Sequence, residues 1–188
     1  MKFELERGSF GYIKKSKRRQ IGLVILMFVI AVAMFVTGLI VNKNDKANLL
    51  TALAILMVLP AAKFLTLYIV LFPYKSVSKE RYEKVKAKLS ENIIMMTDMV
   101  ITSTQKSMNL DFILITDNQV LCLLGKAKQD VKYIEDYLMK TIATTRADSF
   151  TVKVFTDEKK FMDCIPERNI EKSVLQEEAY NIIRTLVV

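Results

Sequence analysis

Few side chains in this sequence have types and spacings suited to catalysis or metal binding. The chain contains no histidine, and its five glycines form no phosphate-binding loop. The two cysteines, Cys122 and Cys164, are not at the spacing of a metal-binding pair, and no Gly-x-Ser-x-Gly turn presents a nucleophilic serine. We interpret both cysteines as buried thiols in a reducing compartment. Histidine-based acid–base catalysis is excluded.

Charge is unevenly distributed along the 188 residues. The formal net charge is +8, but the first 88 residues hold 16 lysines and arginines against 5 acids, while the remainder holds 12 against 15. The positive charge flanks two apolar stretches, whereas a nucleic-acid-binding protein spreads it over the surface that meets phosphate. Nucleic acid is therefore not an expected partner.

Both apolar stretches are long enough to cross a membrane. Residues 21–41 contain no charged side chain and would form a helix about 31 Å long, close to the hydrocarbon thickness of a bilayer. Residues 49–72 are interrupted by Pro60, which is expected to kink the helix without ending it, and by Lys63. A buried core helix and a cleavable signal peptide are the alternatives for the first stretch, but it is longer than a typical signal core. The sequence predicts a hairpin of two transmembrane helices.

Basic residues flank this hairpin on both sides. Residues 42–48 form its short loop, so both ends of the chain lie on one side of the membrane, and the positive-inside rule makes that side cytoplasmic. We predict a two-pass plasma-membrane protein with a basic cytoplasmic arm (1–20), a hairpin (21–72) and a cytoplasmic domain (73–188), with membrane lipid as a partner. The flanking basic residues are Lys14, Lys15, Lys17, Arg18, Arg19, Lys75, Lys79 and Arg81. Candidate interfacial anchors in the arm are Phe3, Phe10, Tyr12 and Ile13.

Lys63 is the one ionisable residue within the two apolar stretches. Such residues mark functional sites in many membrane proteins, and no acid lies in either stretch to pair with it. The alternative is that its long side chain extends toward the cytoplasmic interface, nine residues away. An intramembrane functional role for Lys63 and this structural role both stay open.

The remaining sequence has the pattern of a small α/β domain. Its order of elements is helix, strand, strand, strand, helix, strand, helix, which predicts a mixed sheet covered by helices. The two central strands are unbroken apolar runs that meet at an Asp-Asn turn, which indicates strands buried on both faces. The predicted helices cover 78–92, 130–145 and 173–188, the last with a Ser173/Gln176 capping box, and the predicted strands cover 93–102, 110–117, 119–126 and 150–157.

The hairpin DFILITDNQVLCLLGK, residues 111–126, opens with an aspartate and closes with a lysine. Together with the order of elements around it, this hairpin resembles the metal-binding hairpin of restriction-endonuclease-like proteins, particularly those of the nuclease-related-domain branch. In that family an Asp opens one strand and Glu-x-Lys closes the next. The resemblance implies a nuclease-like fold.

The resemblance also implies site residues. Asp111 falls on the family's aspartate and Lys126 on its lysine, while Leu124 occupies the position of the glutamate. Two carboxylates hold a divalent metal against phosphate and the lysine positions the water, so an Mg²⁺ site needs a second acid. Asp98, as a metal ligand with Asp111, or Glu91 could supply it. The alternative is that Asp111 and Lys126 merely begin and end strands.

Three hypotheses of function follow. The first is a membrane-anchored, non-catalytic α/β module without a cofactor, which binds or scaffolds a protein partner or a second copy of itself. The second is a membrane-tethered, metal-dependent nuclease that uses Asp111, Lys126 and a displaced acid. The third is an oligomeric membrane component in which Lys63 lines the working site.

Overall fold

A computed structural model of the chain describes residues 6–41, 48–125, 129–145, 149–166 and 171–188. These residues form two compact units. Residues 6–14 and the chain from Tyr74 onward form one unit, called the α/β domain below. Lys15–Pro73 form the other, called the helical hairpin.

The helical hairpin is built from three helical segments. Helix α1 spans Tyr12–Val41, α2 spans Leu49–Leu56 and α3 spans Val58–Leu71. The break between α2 and α3 falls just before Pro60, which has no N–H to donate to the carbonyl one turn earlier. Pro60 therefore interrupts the helix at Met57, and α2 and α3 follow each other directly along the chain.

Both apolar stretches meet the length and composition that a membrane crossing needs. Tyr12–Val41 and the continuous stretch Leu49–Leu71 are long and apolar enough to span a bilayer, and only 6% of each apolar window is buried. A core helix of a soluble domain would have most of that window buried. Two apolar helices that could span a membrane are thus present, in the order that the sequence predicts.

The two ends of the hairpin are tied by polar contacts. At one end the Asn48 amide donates to the carbonyl of Gly38 at 3.3 Å, and the same side chain caps α2 by accepting from the Thr51 N–H. At the other end Lys17 Nζ donates to the carbonyl of Phe72 at 2.8 Å. These contacts join α1 to the α2–α3 stretch in antiparallel order. The predicted loop residues 42–47, with their two lysines, lie outside the described residues.

The α/β domain contains the predicted elements and one further helix. After α1–α3 the order is α4 (Lys79–Ala87), β1 (Ile94–Thr102), β2 (Ser107–Ile115), β3 (Gln119–Leu124), α5 (Val131–Ile142), β4 (Thr151–Phe155), α6 (Glu158–Asp163) and α7 (Val174–Thr185). The strands form one sheet in the order β1-β2-β3-β4, antiparallel except for the parallel pair β3/β4. The predicted Ser78 cap and the Ser173/Gln176 capping box are confirmed. Helix α6 was not predicted.

Helices cover both faces of the sheet. Strands β2 and β3 are buried almost throughout, which explains why they read as unbroken apolar runs. On the face under α5 and α7 the core includes Met99, Leu110, Cys122, Ile134, Leu138 and Ile183. On the face under α4 and α6 it includes Val85, Phe112, Leu123, Phe161 and Ile165. Each such buried aliphatic side chain contributes about 1.5–3 kcal/mol by leaving water.

Both edges of the sheet are covered along part of their length. On the β1 edge, the Thr97 N–H donates to the Gly8 carbonyl at 2.8 Å, and Ile101 pairs with Val187. On the β4 edge, the Val154 N–H donates to the Glu135 carboxylate at 3.0 Å. Covered edges limit strand pairing with other molecules.

The segment 6–14, which includes the start of α1, packs as part of the domain. Tyr12 and Ile13 are buried, and the Tyr12 hydroxyl donates to the Val188 carbonyl at 2.8 Å. The Phe10 ring packs at a tilted angle against Tyr82 of α4, with ring centroids 4.6 Å apart. These three residues, interpreted above as interfacial anchors, therefore contact the domain core and α4 instead. Phe3 lies outside the described residues.

The two cysteines have different environments. Cys122 of β3 is fully buried, and burial, with a smaller effect of the Glu135 charge, raises the pKa of its thiol far above the ordinary value. Such a thiol stays protonated and unreactive. Cys164 is exposed at the end of α6, so its predicted burial is wrong. Phe161 of α6 and Ile165, two residues after the helix ends, are buried, and Cys164 between them is exposed.

Candidate functional site

Asp98 and Asp111 occupy opposed positions in the sheet. Thr97 pairs with Phe112 and Met99 pairs with Leu110, so the intervening residues Asp98 and Asp111 face each other across the β1/β2 ladder. The β2/β3 register also shifts at Asp111. A bulged residue of this kind redirects its side chain. Asp98 is 1% exposed and Asp111 is 7% exposed, so both carboxyl groups need partners within the fold.

Asp111 is paired with a cation from helix α4. Arg81 Nη1 lies 2.6 Å from Asp111 Oδ2, and Arg81 Nε lies 2.8 Å from Glu158 Oε2 on α6. The guanidinium carbon lies 5.7 Å from the centroid of the Phe112 ring. Burial lowers the pKa of Arg81, but the hydrogen bonds and charges of Asp111 and Glu158 outweigh that effect and raise it. One guanidinium therefore joins α4, α6 and β2.

Asp98 is held by a main-chain donor from outside its strand. Its Oδ1 accepts from the Val77 N–H at 2.7 Å, and the Ser76 side chain and the Gly11 N–H each act to lower the pKa of this carboxyl group. The residue has a φ of +56°, a left-handed conformation that costs about 1–2 kcal/mol for residues with a Cβ and that Asp and Asn tolerate best. The surrounding hydrogen bonds hold Asp98 in this conformation.

Burial dominates the ionisation of Asp98. The pKa of Asp98 is raised, first by burial and also by the negative charge of Asp111, against the opposing effect of its hydrogen-bond donors. Between 3.8 and the raised pKa, the folded state binds a proton at Asp98 more tightly than the unfolded state. The Asp98 contribution to the free energy of unfolding therefore falls as pH rises through that window and is level above it.

The direction of this pH dependence gives a first prediction, for the variant Asp98→Asn. We expect the unfolding free energy of the variant relative to wild type to increase with pH through the window above 3.8 and then level off. Urea denaturation of the full chain in detergent at a series of pH values measures it. Asp130→Asn is a control of opposite sign, because the Tyr133 N–H and Lys106 lower the pKa of Asp130. A pH-independent difference for Asp98→Asn would contradict the raised pKa.

Three buried oxygen atoms near these carboxyl groups lack a hydrogen-bond partner among the described residues: Thr97 Oγ1, Asp98 Oδ2 and Asn109 Oδ1. Gly125 lies against Asn109 and Asp111, where a Cβ would collide with both side chains. The sheet thus has a polar patch on the face covered by α4. Within the described ranges, no group of three His, Cys, Asp or Glu side chains is arranged to hold a metal ion.

The residues expected from the nuclease resemblance are only partly brought together. Asp98 lies opposite Asp111, but Glu91 is exposed beyond the end of α4. Leu124 packs in the core under α5 and α7, whereas Asp111 reaches Arg81 on the face covered by α4. The position aligned with the family's glutamate therefore lies on the opposite face of the sheet from the Asp111 ion pair. Lys126 lies outside the described residues.

The other predicted residues lie on the surface of their own units, with two exceptions. Lys63 is exposed on α3 within the helical hairpin. Lys17 is partly buried by its bond to Phe72, and Arg81 is partly buried by its ion pairs. The remaining flanking basic residues are exposed: Lys14, Lys15, Arg18, Arg19, Lys75 and Lys79.

Sequence reasoning did not identify Arg81 and Glu158 as partners of Asp111. Arg81 was counted among the basic residues beside the membrane, and Glu158 belongs to the unpredicted helix α6. One available signal was Asp157, which caps α6 by accepting from the Lys159 N–H. Nothing in the local sequence indicates that Arg81 reaches β2.

The α/β domain also has a cleft of about 410 Å³ beside the start of α5. Its lining residues are Tyr74, Lys106, Ser107, Met108, Gln129, Asp130, Tyr133 and Ile134. Lys106 is engaged there with Asp130 at 3.1 Å and lies over the Tyr133 ring. The Gln129 side chain bonds both the N–H and the carbonyl of Asn109. The polar groups of this cleft are largely used to hold the β1–β2 hairpin against α5.

Comparison with protein-family models, with curated proteins and with solved structures finds no match for this chain.

Proposed function

We propose that this chain is a two-pass membrane protein whose α/β domain is a non-catalytic protein-binding module at the cytoplasmic surface. The observation that carries the proposal is the pairing of Asp111 with Arg81 at 2.6 Å. The carboxylate that the nuclease resemblance assigns to a metal is neutralised by a cation of the chain itself. A guanidinium in that position supports a structural role for Asp111.

The membrane part of the proposal rests on length, composition and flanking charge. Two helices are long and apolar enough to span a bilayer, and exposed basic residues lie in the first turns of the first helix and after the second. The positive-inside rule then assigns both termini to the cytoplasm. The plasma membrane is the proposed location.

A cleavage assay tests the absence of catalysis. We expect the purified full chain in detergent to leave plasmid DNA, single-stranded DNA and RNA intact in Mg²⁺ or Mn²⁺, and Asp111→Asn to behave like wild type. The physical reason is that Arg81 and a divalent cation compete for the same carboxylate. Metal-dependent cleavage that disappears in Asp111→Asn would overturn the proposal.

The native cysteines make topology measurable without engineering the domain. Cys164 is exposed and Cys122 is buried, so a membrane-impermeant maleimide reacts at one position in the folded domain. We expect no labelling of wild type in intact cells and labelling at Cys164 in inverted membrane vesicles. Asn44→Cys, in the predicted outer loop, is the matched control that should react in intact cells. Labelling of Cys164 from outside would reverse the orientation.

Two exposed side chains indicate where to search for a partner. In the described part of the α/β domain, Met139 of α5 and Val174 of α7 are the large apolar side chains left exposed, at 43% and 70%. We expect a photocrosslinker at position 139 or 174 to capture one partner in native membranes, and a crosslinker at Lys159 on α6 to miss it. Capture that is equal at all three positions would count against a defined docking face.

A second candidate function is a membrane-tethered, metal-dependent nuclease. The observation that favours it is the register of β1 and β2, which sets Asp98 directly opposite Asp111. For a metal to bind, Arg81 must leave Asp111. Arg81→Ala should then bind Mn²⁺, detected by isothermal titration, and should cleave nucleic acid only while Asp98 and Asp111 are both present. An Arg81→Ala variant that binds no Mn²⁺ rules this candidate out.

A further inference from the structure

Two stretches of the α/β domain lead, along the chain, into and out of the helical hairpin. One is the segment 8–14, which runs into α1, and the other is the segment 74–77, which follows the hairpin. The two segments touch each other, since the Lys14 N–H donates to Ser76 Oγ at 2.9 Å. Both also touch β1, since the Thr97 N–H donates to the Gly8 carbonyl and the Val77 N–H donates to Asp98.

Asp98 is the side chain that both segments share. It accepts a hydrogen bond from the Val77 N–H of the outgoing segment, and the Ser76 side chain of that segment and the Gly11 N–H of the incoming segment each stabilise its charged form. The incoming segment can approach so closely because Gly8 and Gly11 have φ values of +82° and +78°. At 1% exposure, Asp98 is shielded from water, which strengthens the charge-assisted bond from Val77 and the weaker interactions with Ser76 and Gly11.

Helix α4 continues the same chain of contacts. Ser78, the residue after Val77, caps α4 by accepting from the Arg81 N–H, and the Arg81 side chain then binds Asp111 on β2. The segment 74–77 is therefore connected through Ser78 to the first turn of α4 and to the guanidinium of Arg81. The ion pair and the Asp98 hydrogen bonds depend on one local arrangement.

We propose that Asp98 is a conformational coupling point: its carboxylate holds the segments that enter and leave the helical hairpin in one arrangement against β1, so that a change in the hairpin alters α4 and the Arg81–Asp111 pair. The coupling rests on the proposed insertion of the hairpin in a bilayer. Beyond anchoring, the hairpin would then transmit a change in the membrane to the conformation of the cytoplasmic domain.

The experiment varies bilayer thickness, which acts on the hairpin and not directly on the α/β domain. The full chain is reconstituted in phosphatidylcholine vesicles with 14-carbon or 22-carbon monounsaturated chains, and hydrogen exchange is followed by mass spectrometry. In wild type we expect exchange in residues 74–88 to differ by about threefold between the two bilayers, because hydrophobic mismatch is relieved by helix tilt. Exchange in α5 (Val131–Ile142) should not change.

Variants at position 98 test whether the carboxylate carries the effect. In Asp98→Ala we expect amides of residues 8–14 and 74–80 to exchange about tenfold faster than in wild type, with no dependence on bilayer thickness. Asp98→Asn keeps an acceptor oxygen and tolerates the positive φ, so it should retain part of the response. Asp130→Ala removes an exposed cap on α5 and is the matched control with a wild-type response in residues 74–88.

The outcomes separate the coupling from the membrane anchor. Failure of the wild type to co-float with vesicles overturns the proposed insertion and the coupling together. Co-flotation with thickness-independent exchange in wild type overturns the coupling alone. A full thickness response in Asp98→Ala also overturns it, because the carboxylate would then not be the link. If Asp98→Ala unfolds, Asp98→Asn is compared with wild type instead. Equal dependence of hydrogen exchange on bilayer thickness in these two proteins would contradict the role of the Asp98 charge.

Discussion

Arg81→Ala is expected to lower the free energy of unfolding by about 2–3 kcal/mol, less than the 3–5 kcal/mol typical of removing one partner from a fully buried ion pair. The reduction reflects exposure, because 35% of the Arg81 side chain but only 9% of the Asp111 side chain is accessible. The variant leaves the Asp111 carboxylate without its cation under α4. Urea denaturation of the full chain in detergent, followed by tyrosine fluorescence, measures the change.

A double-mutant cycle separates the ion pair from simple loss of packing. Asp111→Asn in the Arg81→Ala background should restore more than half of the loss, because the uncompensated charge is then gone. Lys106→Ala is the matched control, since it breaks an ion pair in which both side chains are about half exposed. Its effect should lie within error. If Arg81→Ala and Lys106→Ala destabilise equally little, the Arg81–Asp111 pair does not hold α4 to the sheet.

Lys63→Leu is expected to favour membrane insertion of the second apolar stretch by about 3–4 kcal/mol, the difference between lysine and leucine at the centre of a transmembrane helix. Lys63 is exposed on α3, and neither apolar stretch contains an acid to offset its charge. A glycosylation-mapping insertion assay on the segment 49–72 measures the effect as the inserted fraction.

Thr66→Leu is the control for Lys63→Leu. Thr66 lies one turn away, and its hydroxyl bonds the Ala62 carbonyl, so a smaller gain is expected. An unchanged inserted fraction in Lys63→Leu would mean that the lysine side chain already extends to the interface. Loss of an oligomer in detergent by Lys63→Leu, alongside improved insertion, would support the alternative in which Lys63 lines an oligomeric site.

The fold was largely predictable because its periodic signals are strong. The unbroken apolar runs of β2 and β3 reflect a sheet buried on both faces, and the Ile134, Leu138 and Ile142 stripe reflects α5 packed on that sheet. Helix α6 was not predicted because six residues cover less than two turns, too few for a clear 3.6-residue period. The segment 6–14 was misread because Phe10 and Tyr12 contact Tyr82 and Val188, which are distant in sequence, and because the Gly8 backbone contact with β1 leaves no pattern in side-chain type.

The candidate site was predictable only in part. Asp98 and Asp111 were identified as candidates from the resemblance, but the β1/β2 register that sets them opposite each other was not predicted. The partner of Asp111 could not be predicted, because Arg81 lies 30 residues away in sequence and joins β2 only when α4 packs on the sheet. The positive φ of Asp98 could not be predicted either, because an aspartate in a sequence does not by itself indicate a left-handed backbone conformation.

The edge of β1 is covered by residues near both ends of the sequence, Gly8 and Val187, and this has a practical consequence for protein engineering. A fragment made by starting the chain at Tyr74 would lack the Gly8 carbonyl that accepts from the Thr97 N–H and the Gly11 amide that helps to stabilise the charged form of Asp98. Its β1 edge would offer free donors to neighbouring molecules, and such fragments tend to form intermolecular sheets. A fusion that returns residues 6–14 through a flexible linker across the deleted hairpin would supply the missing contacts in cis, and is the better design for a crystallisable domain.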